Sequence, residues 1–325
     1  MDPIEGLHHI TAVTRDPQRN VDFYRNVLGQ RFVKKTVNFD APDTYHLYFA
    51  DEIGTPGSVL TFFAWPNMKR GIRGTGETIA IAYNIPASSI DFWQDYLKDK
   101  GVELYPLVQR FGVDILPFDD PDGMRVELVA STPSPAVHPW EEGPIPQVHA
   151  MSGFHSVTLW LEEIESTANL LTLQMGYTFI GQEGDRYHFT GGAGSLGNIL
   201  DIVHRPGQPE DMPVEAVFGA GSIHHIAFRV PTDEMQLEYQ TALRAAGHDV
   251  TPMMDRKYFH SIYYREPGGV LLEIATEPPG FAVDEPVDSL GEDLKLPEWF
   301  ETSRSQIEAY LPPLELKPVE KVKQI

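Results

Sequence analysis

The triplet His-His-Ile occurs twice in this chain, first at His8, His9 and Ile10 and again at residues 224–226. A strand-like apolar segment that carries Glu273 follows the second copy. Two histidines and one carboxylate on short apolar segments are the ligand set of an open facial metal site, which leaves coordination positions for a substrate and dioxygen. A single histidine at a strand edge is more often an ordinary core or surface residue, so the hypothesis depends on the duplication.

Four segments of the chain follow one order of elements: an apolar strand, an amphipathic helix closed by glycine, and further strands ending in a glycine-led apolar strand. The opening strands are predicted at residues 6–13, 78–85, 153–161 and 222–230. The helices are predicted to end at Gly29, Gly101, Gly176 and Gly247. The closing strands are predicted at residues 57–61, 123–127, 197–201 and 269–273. The pattern therefore predicts an α+β fold of four βαβββ modules.

Local signals support the helices of these modules. Asp16 is a predicted N-cap in front of Pro17, and Thr232 is a predicted N-cap in front of an acidic first turn. Residues 164–175 carry an apolar stripe near the 3.6-residue period of a helix.

The modules are predicted to form two domains. Residues 1–131 hold the first pair of modules and residues 151–280 the second pair, with a proline-rich linker at 132–150 between them. Residues 281–325 are predicted to be a C-terminal tail that wraps on the body and contains one helix from about residue 297 to residue 311.

The composition restricts the partners and the compartment. The net charge of −22, from 47 acidic and 25 basic residues, repels phosphate backbones and anionic lipid, so we expect no nucleic-acid and no membrane partner. Cysteine is absent, which excludes thiolate metal sites and agrees with a cytoplasmic location, as does the lack of a targeting signal. The basic pairs Lys34-Lys35 and Arg256-Lys257 are predicted to be places where an anionic or phenolate substrate is held.

One competing motif fails on its context. Residues 192–197 match the GxGxxG string of dinucleotide-binding proteins, which requires a preceding strand and a following helix. Residues 198–203 read as a strand instead, so we interpret the glycine-rich segment as a hairpin loop.

The repeats define two sets of positions for metal ligands. The opening strands offer His9, approximately Ala80, His155 and His225, and the closing strands offer Thr61, Glu127, Asp201 and Glu273. Pairing of modules one and four gives His9, His225 and Glu273, whereas pairing of modules three and four gives His155, His225, Asp201 and Glu273. The spacing leaves both open, although the shared triplet favours one with four, because each copy then supplies a ligand and an adjacent imidazole.

The pattern resembles the vicinal oxygen chelate superfamily, which includes glyoxalase I, bleomycin-resistance proteins and type I extradiol dioxygenases. Residues 6–13 (GLHHITAV), 36–39 (TVNF), 44–48 (TYHLY) and 222–227 (SIHHIA) closely resemble its ring-cleaving hydroquinone dioxygenases, and the resemblance runs from about residue 5 to residue 280. It implies cupped mixed β-sheets and an Fe(II) centre, with Mn(II) as the alternative metal. It implies metal ligands at His9, His225 and Glu273, and catalytic neighbours at His8, Thr11, His224, Arg256 and Tyr263.

The resulting functional hypothesis is an Fe(II)-dependent, extradiol-type dioxygenase that opens the ring of a hydroquinone or related diphenol with O₂. The partners are then a small aromatic diphenol and O₂, and a homo-oligomer is left open. A glyoxalase-like metal-dependent isomerase or lyase, or a protein that binds an aromatic compound without turnover, are the alternatives, because fold alone does not choose among them. Glu127 and Asp201 are expected to be structural, as buried hydrogen-bonded carboxylates.

Overall fold

The computed structural model describes residues 2–132, 134–192, 196–204 and 215–322. Within them, the first module comprises β1 (Leu7–Thr14), α1 (Pro17–Asn26), β2 (Arg31–Asn38), β3 (Ala41–Ala50) and β4 (Val59–Ala64). The second comprises β5 (Glu77–Pro86), α2 (Ile90–Asp99), β6 (Val108–Arg110), β7 (Val113–Asp119) and β8 (Arg125–Ser131). The third comprises β9 (Phe154–Trp160), α3 (Glu165–Asn169), β10 (Thr178–Glu183), β11 (Arg186–Thr190) and β12 (Ile199–Val203). The fourth comprises β13 (Ile223–Val230), α4 (Asp233–Ala245), β14 (Met254–Asp255), β15 (His260–Arg265) and β16 (Leu271–Thr276).

The predicted α+β fold of four βαβββ modules is confirmed by this order of elements. The local signals hold as well, since the side chains of Asp16 and Thr232 cap α1 and α4 by accepting hydrogen bonds from backbone N–H groups. Gly57, at the start of the first closing strand, has φ of +89°, and a Cβ there would lie 2.7 Å from the Cβ of Leu196. This turn therefore requires glycine for two reasons: the positive φ disfavours other residues, and there is no room for a Cβ atom.

The strands form two eight-stranded mixed sheets. The order in sheet one is β14-β15-β16-β13-β1-β4-β3-β2, so it combines modules four and one. The order in sheet two is β10-β11-β12-β9-β5-β8-β7-β6, so it combines modules three and two. In each sheet the two opening strands pair antiparallel at the centre, and each opening strand runs parallel to its own closing strand.

Each sheet thus takes one module from each half of the chain. The main hydrophobic core contains residues of both sheets, such as Phe62 and Leu159, which are fully buried. The division of the chain into domains at residues 132–150 stays a prediction.

Two predicted helices differ in detail. The stripe of residues 164–175 does face the core, with Leu171 and Met175 fully buried, but α3 continues as a π-helical turn at Leu170–Gln174. The single helix predicted at 297–311 is wrong, because the chain forms α5 (Glu298–Glu301) and α6 (Arg304–Tyr310). At Ser303 the backbone turns to φ −105° and ψ 7°, and its N–H bonds the carbonyl of Phe300 three residues earlier, which interrupts the helix.

The tail packs on the body, as the sequence predicts, and it corrects the role of one basic pair. Lys34 is fully buried, with its Nζ 2.7 Å from Asp284 Oδ1 and in contact with Glu285, both in the tail. The Nζ of Lys35 binds the carbonyl of Glu292 in the tail. The prediction that this pair holds a substrate is therefore wrong, because the buried ammonium group of Lys34 is already paired with carboxylates of the tail.

The glycine-rich segment and the length of the helices bear on two further predictions. The GxGxxG-like segment is followed by strand β12, as predicted, whereas residues 193–195 of the predicted loop lie outside the described part of the chain. None of the helices in the described residues is long and apolar enough to cross a bilayer.

Candidate metal centre

Three side chains of sheet one converge at its centre. In the register of the sheet, His9 on β1 and Glu273 on β16 lie on either side of Ala227, and His225 is two residues before Ala227 on the same face of β13. The Nε2 atoms of His9 and His225 lie 3.3 and 3.0 Å from Glu273 Oε2, and 3.4 Å from each other. All three residues are buried, and within the described residues they are the group of histidine and acidic side chains close enough to hold a metal ion.

The chemistry of these atoms fits a cation. Ser261 donates a hydrogen bond to Oε1 of Glu273, but the buried Oε2 has no hydrogen-bond partner. Burial alone would raise the pKa of Glu273, but the adjacent imidazoles of His9 and His225 outweigh burial and hold that pKa well below its usual range. An ionised oxygen without a donor, facing two ring nitrogens, is a site that a divalent metal ion would satisfy.

The first histidine of each triplet orients the second. The Nδ1 atoms of His8 and His9 lie 2.9 Å apart, and those of His224 and His225 lie 2.8 Å apart. Burial lowers the pKa of both His8 and His224 to about 3, so both rings are neutral and can accept a hydrogen bond at Nδ1. We infer that His9 and His225 carry their proton on Nδ1 and donate it, which leaves each Nε2 lone pair directed at the centre.

A cavity of about 290 Å³ is lined by His9 and His225. Its volume is close to the lower end of the range for small-molecule sites, roughly 300–1,000 Å³. Aromatic rings form much of its wall, namely Phe39, Phe63, Trp65 and Phe259. The Phe259 ring centroid lies 4.9 Å from those of both His8 and His9, so it shields the histidines from the side. The cavity therefore suits one substituted aromatic ring.

Arg256 and Tyr263 form the polar side of this cavity. The Nε of Arg256 donates to the hydroxyl of Tyr263 at 3.2 Å, and its Nη1 lies 3.2 Å from the carboxylate of Asp40. Burial and then the negative charge of Glu273 raise the pKa of Tyr263, so its hydroxyl stays protonated. Arg256 thus has both a surface ion pair and a place in the cavity, where it is the guanidinium that the second basic pair was predicted to supply.

The structure adds residues that the sequence did not single out individually. His46 and Tyr48 on β3 line the cavity, and His46 is hydrogen-bonded to Thr61, which in turn is hydrogen-bonded to Thr11. Both belong to the motif at residues 44–48 that carries the family resemblance, and their spacing of two places them on one face of a strand. That alternation was the available signal.

Sheet two contains the corresponding positions without the two histidines. By register, Ala80 stands where sheet one has His225, and Glu127 stands where it has Glu273. The position equivalent to His9 holds Ser156, whereas His155 corresponds to His8 and its Nδ1 lies 3.0 Å from the Ser156 hydroxyl. The alignment of His155 with His9 is therefore wrong by one residue, which in a strand means the other face.

The carboxylates of sheet two have cationic partners instead. Glu127 accepts two hydrogen bonds from Arg110 Nη1, at 2.9 and 2.7 Å. Asp201 lies 2.7 Å from Arg186 Nη1 and 2.7 Å from His188 Nδ1. Both acids are buried and hydrogen-bonded, as the sequence predicted.

Glu127→Gln and Asp201→Asn should leave the bound metal per chain unchanged, because these carboxylates bind guanidinium groups in sheet two. The measurement is metal per chain by elemental analysis after loading with Fe(II) under anaerobic conditions. Each amide weakens a buried ion pair, so a lower melting temperature is expected in both variants. Loss of about half of the metal would reveal a second site in sheet two and contradict this assignment.

Comparison with known proteins agrees with this architecture. A sequence profile of the Glyoxalase/Bleomycin resistance protein/Dioxygenase superfamily matches residues 6–128 and 153–274, and the chain belongs to this superfamily. "Putative ring-cleaving dioxygenase MhqO" of Bacillus subtilis (strain 168) is 43% identical over 97% of this chain and 98% of its own length. "Chlorohydroquinone/hydroquinone 1,2-dioxygenase" of Sphingobium indicum is 34% identical over 94% of this chain and 95% of its own.

Solved structures confirm the vicinal oxygen chelate fold. The crystal structure of a "putative dioxygenase" from Bacillus subtilis superposes with a TM-score of 0.92 at 42% identity, covering 98% of this chain and 100% of that one. Glyoxalase I from Zea mays superposes with a TM-score of 0.60 over 84% of this chain and 92% of that one. Its identity is only 15%, so this likeness concerns the fold alone.

Proposed function

We propose that this protein is a non-haem Fe(II) dioxygenase of the extradiol type that cleaves the ring of a hydroquinone or related diphenol with O₂, with Mn(II) as the alternative metal. The metal ligands are His9, His225 and Glu273. The observation that carries the proposal is the convergence of these three side chains beneath a small aromatic-walled cavity. The names of two relatives that align over nearly the whole chain, a ring-cleaving dioxygenase and a hydroquinone dioxygenase, support it.

When bound, the metal ion would hold the deprotonated diphenol and dioxygen side by side and let electron density pass between them. Three protein ligands on one face leave positions for both reactants, and imidazole and carboxylate are the ligand types that suit iron of this class. Every ligand donor of the site is nitrogen or oxygen, since the chain has no cysteine.

The surrounding residues act on the substrate and on its protons. Phe63 and Trp65 form an apolar part of the cavity wall that packs against the substrate ring and excludes water. The Arg256 guanidinium offsets the negative charge of the phenolate, and the Tyr263 hydroxyl donates a hydrogen bond to an oxygen of the substrate. His8 and His224 use their Nδ1 atoms to orient the two ligand imidazoles, so their contribution to proton transfer is limited to the other ring nitrogen.

The isomerase alternative is disfavoured by the residue opposite Thr11. Glyoxalase sites usually carry an additional carboxylate, but here the first closing strand has Thr61 at the ligand-equivalent position. Thr61 is hydrogen-bonded to Thr11 and His46 and supplies no strong metal ligand.

The proposal is tested by an oxygen-electrode trace with Fe(II)-loaded protein and a panel of hydroquinones and catechols. Oxygen uptake with at least one diphenol is expected, together with a ring-cleaved product by mass spectrometry. Peroxide should abolish the uptake, and Fe(II) with ascorbate should restore it, because the activity needs a ferrous ion. Protein loaded with Zn(II) is the matched control. An iron-replete protein that takes up no oxygen with any diphenol, or that isomerises a glutathione adduct, would contradict the proposal.

A further inference from the structure

Asp40 and Arg256 form an ion pair at the cavity, and they come from opposite edges of sheet one. Asp40 lies in the turn that follows β2, and Arg256 lies directly after β14. These two strands are the first and the last in the order of the eight-stranded sheet, so the ion pair connects its two ends. Both side chains line the cavity. We call Asp40 and Arg256 the cavity ion pair.

Local hydrogen bonds hold both members of the cavity ion pair in place. The side-chain oxygen of Asn38 accepts a hydrogen bond from the backbone N–H of Asp40 at 2.9 Å, which fixes the turn after β2. The backbone N–H of Arg256 donates to the carbonyl of Phe259 at 3.0 Å. The carbonyl of Arg256 accepts from the N–H of Tyr258 at 2.8 Å. The cavity ion pair therefore joins two ordered segments of the chain.

The cavity ion pair contains the strongly charged groups of the cavity wall. Of the described residues that line the cavity, Arg256 is the only arginine or lysine, and Asp40 is the only aspartate or glutamate. The side chain of Arg256 is 18% exposed and that of Asp40 is 68% exposed, so the carboxylate lies on the solvent side of the guanidinium. A substrate that enters the cavity thus meets one positive and one negative charge that already compensate each other.

The guanidinium group of Arg256 has a partner at each nitrogen. Its Nη1 lies 3.2 Å from Asp40 Oδ2, and its Nε donates to the hydroxyl of Tyr263 at 3.2 Å. Its Nη2 lies 3.7 Å from the sulfur of Met254, which is a weak acceptor. Asp40 therefore occupies the position at which a second carboxylate would bind Arg256.

We propose that Asp40 is a specificity-determining residue, which restricts the cavity to diphenols without an ionised substituent on the ring. This inference rests on the proposed function, which supplies the diphenol. A carboxylate on the ring loses water on entering the cavity and needs a cation to compensate that loss. The cation of the wall is Arg256, which Asp40 already neutralises, and the negative charge of Asp40 repels a second carboxylate. A diphenol without an ionised substituent needs no such cation.

Asp40→Asn is the decisive variant, because it removes the negative charge and keeps the size of the side chain. Arg256 then keeps its charge without a carboxylate partner and can bind a carboxylate on the substrate ring. An ion pair with so exposed a carboxylate contributes little to stability, so the melting temperature should stay close to that of the wild type.

Isothermal titration calorimetry of the metal-free protein compares two ligands of similar shape, carboxyhydroquinone and its carboxamide. The first carries a carboxylate, and the second carries a neutral amide in its place, so the ratio of their dissociation constants isolates the charge. Asp40→Asn should shift this ratio in favour of the carboxylate by roughly 10- to 100-fold, the scale of one hydrogen bond to a charged group.

Two control variants accompany this measurement. Asp43→Asn is the matched control, because Asp43 is an exposed carboxylate on β3 outside the cavity lining, and its loss changes the net charge by the same amount. Its binding ratio should equal that of the wild type. In an Arg256→Gln background, Asp40→Asn should shift the ratio by less than about threefold, because the two effects are coupled through the ion pair.

A second measurement uses turnover of the Fe(II)-loaded protein. Oxygen uptake gives kcat/KM for carboxyhydroquinone relative to hydroquinone. Asp40→Asn should raise this ratio by the same roughly 10- to 100-fold, mainly through a lower KM for the carboxylated substrate, since the lost repulsion acts on binding.

The outcomes separate the two proposals. Wild-type protein that takes up no oxygen with any diphenol overturns the proposed function, whereas the binding ratio of the metal-free protein still tests Asp40. Equal ratios in Asp40→Asn and Asp43→Asn overturn the role of Asp40 alone. A full shift in the Arg256→Gln background also overturns it, because Arg256 would then not be the group that Asp40 withholds from the substrate.

Discussion

His9→Ala is expected to leave the protein without bound iron and without turnover, whereas His155→Ala should keep both. His9 supplies one of three nitrogen and oxygen atoms that lie within 4.8 Å of one another at the centre of sheet one. Its removal leaves two ligands, and water does not replace the lost bond without weakening the affinity. His155 lies in sheet two beside Ser156, where the two ligand histidines have no equivalent and the equivalent carboxylate, Glu127, binds Arg110.

The measurement is iron per chain in both variants after anaerobic loading with Fe(II). His225→Ala and Glu273→Ala serve as positive controls, because both should lose iron. Thermal denaturation with and without iron gives a readout independent of turnover, since a metal that binds only the folded state raises the melting temperature. The wild type and His155→Ala should show this rise, and His9→Ala should not. An iron-free His155→Ala beside a normal His9→Ala would overturn the ligand assignment.

The sequence predicted the modules because their signals are local. Caps, glycines and apolar periods lie within ten to fifteen residues of the element they define, as the caps of α1 and α4 illustrate. Pairing between modules is not local. The spacing of residues left open whether module one or module three joins module four. The shared His-His-Ile triplet and the family resemblance favoured the arrangement that the sheet order shows.

Register was the weaker part of the prediction. A one-residue error is invisible in a repeat alignment, but it moves a side chain to the other face of a strand. This happened at His155, where Ser156 takes the position equivalent to His9. The hydrogen bonds of His46 with Thr61 and Tyr48 could likewise not be predicted from the sequence, because they depend on the register of neighbouring strands.

The ion pair of Lys34 could not be predicted either, because its partners are far away in the sequence. A lysine in an alternating strand looks like a surface cation, but its carboxylate partners lie in the tail, some 250 residues later in the chain. The sequence offers no signal that pairs such distant charges. The tail that supplies them also supplies Phe281, whose ring packs on Tyr48 and Tyr258 behind the cavity wall.

Lys34→Met is therefore expected to lower the free energy of unfolding by about 3–5 kcal/mol, the usual cost of removing one partner from a buried ion pair. Two carboxylates would remain, Glu285 buried and Asp284 partly buried, without the ammonium group that lies 2.7 Å from the Asp284 oxygen. Urea unfolding of the wild type and the variant measures the difference. Lys35→Met is the matched control, because its Nζ bonds one exposed carbonyl, and its effect should stay near about 0.5 kcal/mol.

The triple variant Lys34→Met, Asp284→Asn and Glu285→Gln separates charge from packing. If uncompensated charge causes the loss, removing all three charges should recover much of it, because neutral groups of similar volume often replace a buried ion pair at little cost. Recovery will be incomplete, since Asp284 also accepts a hydrogen bond from Tyr258 at 3.1 Å. A single variant within about 1 kcal/mol of the wild type would mean that the tail holds by its apolar contacts, such as Phe281 and Leu290, and that the buried ion pair adds little.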